Sequence, residues 1–88
     1  MIIKISVITA SWNCASSIID CLDSVASQTY KNLEHVVIDG ASSDGTIDLL
    51  NSRRSALGLL VSEPDGGIYD AMNKGLRRAT GEYVWFVN

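Results

Sequence analysis

The chain has one proline, one histidine, one phenylalanine and two cysteines in 88 residues. It also lacks a basic excess: 7 Lys and Arg stand against 10 Asp and Glu, a formal net charge of −3. A protein built to hold a nucleic-acid backbone carries a basic stripe or patch, so no nucleic-acid partner is expected. Cys14 and Cys21 stand in a C-x6-C spacing, whereas zinc pairs usually sit two to four residues apart. On one helix their Cα atoms would lie roughly 10 Å apart, beyond the ~7 Å that a disulfide spans. Their expected role is apolar filler in a reducing, cytosolic setting. The only imidazole, His35, sits inside an apolar run and reads as a core or sheet-face residue. No Ser–His or Cys–His pair can be argued from this spacing. No stretch approaches the roughly 18 apolar residues of a membrane span. Lys4, Ser6 and Thr9 break up the N-terminal segment, which therefore does not read as a signal peptide.

Apolar residues make up 47% and charged residues 19%, which excludes disorder and, with no Gly-X-Y period, collagen. A chain of this length buries only about 60–65% of its unfolded surface. It has room for one modest core and no second domain.

The pattern alternates. A β-branched run predicts a first strand over Ile3–Ala10. Ile18, Ile19, Leu22, Val25 and Ala26 make one face of a helix over Ser17–Ser27. Leu33–Asp39 predicts a second strand, Thr46–Arg54 a short helix, and Gly58–Ser62 a third strand. Ile68, Ala71, Met72, Gly75, Leu76 and Ala79 recur with helical period, and Gly81 stops that helix. Tyr83–Asn88 predicts a fourth strand, apolar on both faces and so expected in mid-sheet. The order β-α-β-α-β-α-β implies an α/β fold with parallel strands and right-handed crossovers. In such a sheet the ligand crevice lies at the carboxyl ends of the strands. The chemistry is therefore expected on Thr9–Asn13, Asp39–Asp44 and Glu63–Gly67.

Each loop offers two readings. Asp39, an acceptor-only group at a strand tip, suits base N–H or ribose hydroxyls, or else starts a turn. Asp44 either contacts a nucleotide or caps the next helix. Thr9 and Asn13 suit a base edge, with Ala10 leaving room for its face, or serve as a strand residue and an N-cap. Trp12 either stacks or packs, and packing is the expectation. Gly66 and Gly67 open a helix whose free amides would attract phosphate. Asn73 and Lys74 lie off the apolar stripe, free for ligand or water. Arg77 and Arg78 suit the helix dipole.

In combination these segments resemble family 2 glycosyltransferases of the GT-A fold. The resemblance rests on Thr9-Ala10-Ser11-Trp12-Asn13, the helix end Ser27-Gln28-Thr29-Tyr30, and Asp39-Gly40-Ala41-Ser42-Ser43-Asp44-Gly45-Thr46. It continues through Asp65-Gly66-Gly67-Ile68-Tyr69-Asp70-Ala71-Met72-Asn73-Lys74-Gly75, which is similar to enzymes of bacterial exopolysaccharide, colanic-acid and capsule synthesis. It implies a Rossmann-like, three-layer nucleotide-binding half-fold of four mostly parallel strands. It also implies a site for a nucleoside diphosphate sugar at Thr9, Ala10, Asn13, Asp39, Asp44, Asn73 and Lys74.

In the family a strand like Tyr83–Asn88 runs into aspartates that hold Mg²⁺ or Mn²⁺ against the diphosphate, and the general base lies further on. The resemblance therefore implies that residues 1–88 are the N-terminal, recognition part of an incomplete domain. That part is expected to hold no catalytic residue and to bind no metal alone. The full enzyme is expected to transfer sugar to a glycan or lipid-linked acceptor, in the cytoplasm or at the cytoplasmic face of the bacterial inner membrane. A buried-type strand at the chain end is expected to promote self-association. Two alternatives remain: a non-catalytic nucleotide-binding or interaction module, and a flavodoxin-like or dinucleotide-binding domain. The missing G-x-G-x-x-G after the first strand argues against the dinucleotide case.

Overall fold

The structure, a computed structural model, describes residues 2–88. The chain runs β1 (Ile5–Ser11), α1 (Ile18–Ala26), β2 (Leu33–Asp39), α2 (Thr46–Ser52), a 3₁₀ turn (Arg54–Ala56), β3 (Leu59–Ser62), α3 (Ile68–Arg78) and β4 (Tyr83–Phe86). The strands form one sheet in the order β3-β2-β1-β4, with every neighbouring pair parallel. This is the expected α/β, Rossmann-like arrangement. β1 and β2 are central and rich in β-branched residues, as strands buried on both faces must be.

Alternation along β2 divides the core. Val36 and Ile38 pack with Ile8 and Ala71 of α3 on one face. Val37 packs with Ile18, Leu22 and Leu50 of α1 and α2 on the other. Three layers result. Helix α3 sits low on the sheet because Gly75 has no side chain: a Cβ there would come within 2.5 Å of the Ile8 Cγ2. Its buried stripe is narrow. Ala71 and Gly75 are buried, while Ile68 and Leu76, expected on the core face, are exposed.

Helix α2 ends at Ser52, two residues before the expected Arg54, and tightens into the 3₁₀ turn. The larger correction concerns β4. Expected in mid-sheet, it forms an edge of the sheet, and Tyr83, Val84, Trp85 and Phe86 are all exposed. Apolarity on both faces records that a strand suits burial. It does not say where the covering neighbours come from, and among the described residues they stand on one side only.

A clamp at the amino ends of the strands anchors the α3–β4 connection. Glu34 Oε2 accepts from the Ser6 hydroxyl at 2.5 Å and from the Thr80 amide at 2.7 Å. No helix among the described residues is long and apolar enough to cross a membrane.

Candidate functional site: a cavity at the carboxyl ends of the strands

Strands β1 and β2 end side by side, with Ser11 opposite Asp39. Beyond them opens a cavity of about 840 Å³, walled by the β1 end and the following turn (Thr9–Trp12), by α1, by Gly40, by Asp65, Gly67, Ile68 and Ala71, and by Val87 and Asn88. This is the position that parallel topology dictates for a ligand crevice, and the volume is that of a small-molecule site.

Asp39 lies beneath Gly40, fully buried. Its Oδ1 accepts from the Ser11 and Ser42 hydroxyls, each at 2.7 Å. Its Oδ2 accepts from the Ser42 amide at 2.9 Å and the Ser62 hydroxyl at 3.1 Å. Burial pushes its pKa up. The Ser42 amide and the three serine hydroxyls outweigh that, and the carboxyl sits below its ordinary value. Asp39 therefore joins β1, β2, β3 and the β2–α2 loop at one point.

The β1–α1 and β2–α2 loops are stitched together. The Asn13 amide donates to Ser42 Oγ at 2.8 Å, and Asn13 Oδ1 accepts the Ser43 amide at 2.8 Å. The Cys14 amide donates to Thr46 Oγ1 at 3.0 Å, and the Ala15 amide to Asp44 Oδ2 at 3.1 Å. Asn13 holds a left-handed backbone (φ 48°) to do this, a conformation that asparagine tolerates better than most residues. Asp44 Oδ1 also takes the Thr46 hydroxyl at 2.5 Å and the Thr46 amide at 3.1 Å. The Thr46 hydroxyl, then the Ala15 amide, hold the Asp44 carboxyl below its ordinary pKa. The N-cap position of α2 is Gly45, with no side-chain cap; Asp44 instead bonds the first helical residue, Thr46, and the β1–α1 loop.

Thr9 and Ala10 line the cavity; Asn13, Asp39 and Asp44 are not in its wall. Thr9 is buried, and its hydroxyl donates to the Val87 carbonyl. Asn73 and Lys74 are not in the cavity wall. Asn73 is exposed on α3. Lys74 Nζ lies 3.2 Å from Glu63, 3.9 Å from Asp70 and 3.1 Å from the Pro64 carbonyl, beside a hollow of about 120 Å³ shared with Arg77 and Arg78.

One expectation is overturned. Trp12 does not pack: it is 68% exposed at the cavity rim. Ahead of α3 the two glycine amides are engaged within the chain. The Gly66 amide donates to Asp70 Oδ2 at 2.8 Å and the Gly67 amide to Asp65 Oδ1 at 2.9 Å, so two carboxylates already stand at that helix start.

Asp65 is the site residue that the sequence reading did not single out. It lines the cavity, and its Oδ2 approaches Gly40 so closely that a Cβ on residue 40 would lie 2.9 Å away. The available signal was its place after β3, in the loop expected to carry chemistry. Its Pro-Asp-Gly-Gly setting reads first as turn punctuation. Cys14 and Cys21 also line the wall as free thiols, and burial pushes the Cys14 pKa up.

No three His, Cys, Asp or Glu side chains gather as a metal site among the described residues. Asp39, the deepest carboxylate, already accepts four hydrogen bonds.

The family model for Glycosyl transferase family 2 matches residues 6–88. The chain belongs to glycosyl transferase family 2. It is 41% identical over 85 residues to an uncharacterized glycosyltransferase of Mycobacterium tuberculosis, covering 96% of this chain and 32% of that protein. It is 40% identical over 85 residues to a PGL/p-HBAD biosynthesis glycosyltransferase of the same species, covering 93% and 33%. This family 2 chain thus spans about a third of the length of these curated relatives.

Among solved structures, the mannosyltransferase PcManGT from Pyrobaculum calidifontis, in complex with GDP-Man and Mn²⁺, superposes with a TM-score of 0.78 at 39% identity. That match covers 91% of this chain and 25% of the mannosyltransferase. Staphylococcus aureus TarS 1-349 in complex with UDP-GlcNAc superposes with a TM-score of 0.86 at 34% identity, covering 96% and 26%. The chain therefore shares the α/β fold of the matched part of these glycosyltransferases, and transferase is the activity class of the family.

Proposed function

We propose that this chain is the nucleotide-recognition part, residues 1–88, of a glycosyltransferase domain, and that a nucleoside diphosphate sugar binds in the cavity at the strand ends. The observation that carries this reading is the meeting of an exposed Trp12, the Asp65 carboxylate and Gly40 around about 840 Å³. An aromatic face, an acceptor and a glycine that allows close approach are what a base and ribose need. Solved relatives in complex with GDP-Man and with UDP-GlcNAc support it. In this reading Thr9, Ala10, Trp12 and Asp65 form the wall. Asp39, Asn13 and Asp44 hold the loops behind it, and ligand binding would engage Asp39 by exchanging one of its serine donors. Asn73 and Lys74 act at the outer side of α3.

The whole enzyme would transfer the sugar to a glycan or lipid-linked acceptor in the synthesis of bacterial cell-surface polysaccharide, of the exopolysaccharide, colanic-acid or capsule kind. Its place is the cytoplasm, at the cytoplasmic face of the inner membrane, where a lipid-linked acceptor is met. Mg²⁺ or Mn²⁺ and the catalytic base belong to residues outside this chain, and the 88 residues alone are inactive. Titration with UDP, GDP and dTDP, with and without Mn²⁺, tests the reading. Saturable binding of at least one is expected, weakened by Asp65→Ala. Binding of none of them overturns it.

A further inference from the structure

The α1/α2 face of the sheet buries the one imidazole of the chain, and nucleotide recognition as proposed gives it no task. His35 is 4% exposed on β2. Its Nε2 lies 2.8 Å from Thr9 Oγ1 on the neighbouring strand. A threonine hydroxyl has one proton, and Thr9 gives it to the Val87 carbonyl over 2.6 Å. Thr9 must then accept from His35, so the neutral imidazole carries its proton on Nε2. A directed chain follows: His35 Nε2–H to Thr9 Oγ1, and Thr9 Oγ1–H to Val87 O. Cys21 Sγ flanks it, 3.7 Å from Thr9 Oγ1 and 4.0 Å from the Val87 oxygen.

Val87 and Asn88 lie just past β4 and form one wall of the cavity. They are tied to β1 by the Val87 amide on the Ile8 carbonyl (3.0 Å), by the Ala10 amide on Asn88 Oδ1 (2.9 Å), and by the Thr9 bond. The Thr9 hydroxyl oxygen meets both partners at once, 2.8 Å from His35 Nε2 and 2.6 Å from the Val87 oxygen, and moving to another staggered rotamer would carry it away from them. The His35 donor thereby favours the orientation that reaches Val87.

We infer that His35 is a positioning residue for the cavity: through Thr9 it sets the Val87–Asn88 wall. The link to ligand affinity rests on the nucleotide reading; the positioning itself does not. Long-range ¹H–¹⁵N spectra of the full chain are expected to show the Nε2–H tautomer. In His35→Leu the amides of Val87 and Ala10 are expected to exchange about tenfold faster, while those of Gly40 and Glu63, bonded to Ser11 and Asp39, keep their rates. Thr9→Val, which removes the hydroxyl without removing bulk, is expected to do the same, and serves if the leucine variant does not fold. His35→Gln, which keeps a donor, is expected to restore slow exchange. UDP and GDP affinity is expected to fall about tenfold in the first two variants. An Nδ1–H tautomer, or unchanged exchange at Val87 and Ala10, overturns the inference. Moved amides with no binding of UDP or GDP by the unmodified chain would sustain the positioning and sink the nucleotide reading.

Discussion

Ser11 and Asp39 are register partners at the carboxyl ends of β1 and β2, and the Ser11 hydroxyl donates to Asp39 Oδ1 over 2.7 Å. The carboxylate is fully buried and meets only donors. Asp39→Asn replaces one acceptor oxygen by an NH₂ that faces those donors. A loss of roughly 2 kcal/mol is expected, read as a lower urea midpoint at neutral pH with an unchanged slope. A variant as stable as the parent would show that the serines repartner with water.

Acid should destabilise the fold well before general carboxylate protonation. Burial lowers the His35 pKa from 6.5 to about 4. Between those values the unfolded chain binds a proton that the folded chain does not, so stability rises with pH there. It is fully present above pH 6.5 and is lost as pH falls through about 4. The shift corresponds to about 3 kcal/mol. The Asp39 and Glu34 pKa values are also lowered, which adds losses of the same sign further into acid. Urea unfolding from pH 7 downward checks this, and His35→Gln should flatten the first part of the curve.

Gly75→Ala gains about 1 kcal/mol of helix propensity, yet it is expected to destabilise. The new Cβ would stand 2.5 Å from Ile8 Cγ2 in the middle of the α3 face, and overpacking of this kind costs about 1–3 kcal/mol. A net loss in thermal or urea unfolding is the expected result; a net gain would mean that α3 lifts without penalty.

Trp12→Ala separates stability from binding. At 68% exposure the indole contributes little to the fold, and a change within about 0.5 kcal/mol is expected. Nucleotide affinity should fall about tenfold or more, the scale of an aromatic–base stack. Calorimetric titration with UDP and GDP, beside a melting curve, reads both.

Among the described residues strand β4 pairs on one side only, with Tyr83 and Trp85 on one face and Val84 and Phe86 on the other, all exposed. Such an edge templates pairing with another chain. Concentration-dependent association is expected in light scattering, relieved by a lysine at Trp85. A monomer across the concentration range would count against it.

Much of the architecture is legible in single segments. Strand β2 spans the expected Leu33–Asp39, and α3 begins at the expected Ile68. Continuous β-branched runs and a helical apolar period are local signals, strong where the elements are central and buried. Legibility fails where burial depends on neighbours. β4 reads as an interior strand and stands at an edge. Ile68 and Leu76 read as core and are exposed, Ile68 at the cavity.

The sequence by itself determined the order of elements, their parallel pairing and the end of the sheet where the cavity opens. These follow from periodicity and from the handedness of crossovers. Only the tertiary structure decided which polar groups remain for a ligand. Asn13 and Ser43, or Ala15 and Asp44, are about thirty residues apart in sequence and bonded in space, so their hydrogen bonds leave no local trace. Asp65 came to the cavity wall the same way, by lying against Gly40. A hydroxyl or carboxylate advertises what it can bind, but the fold settles what it already holds.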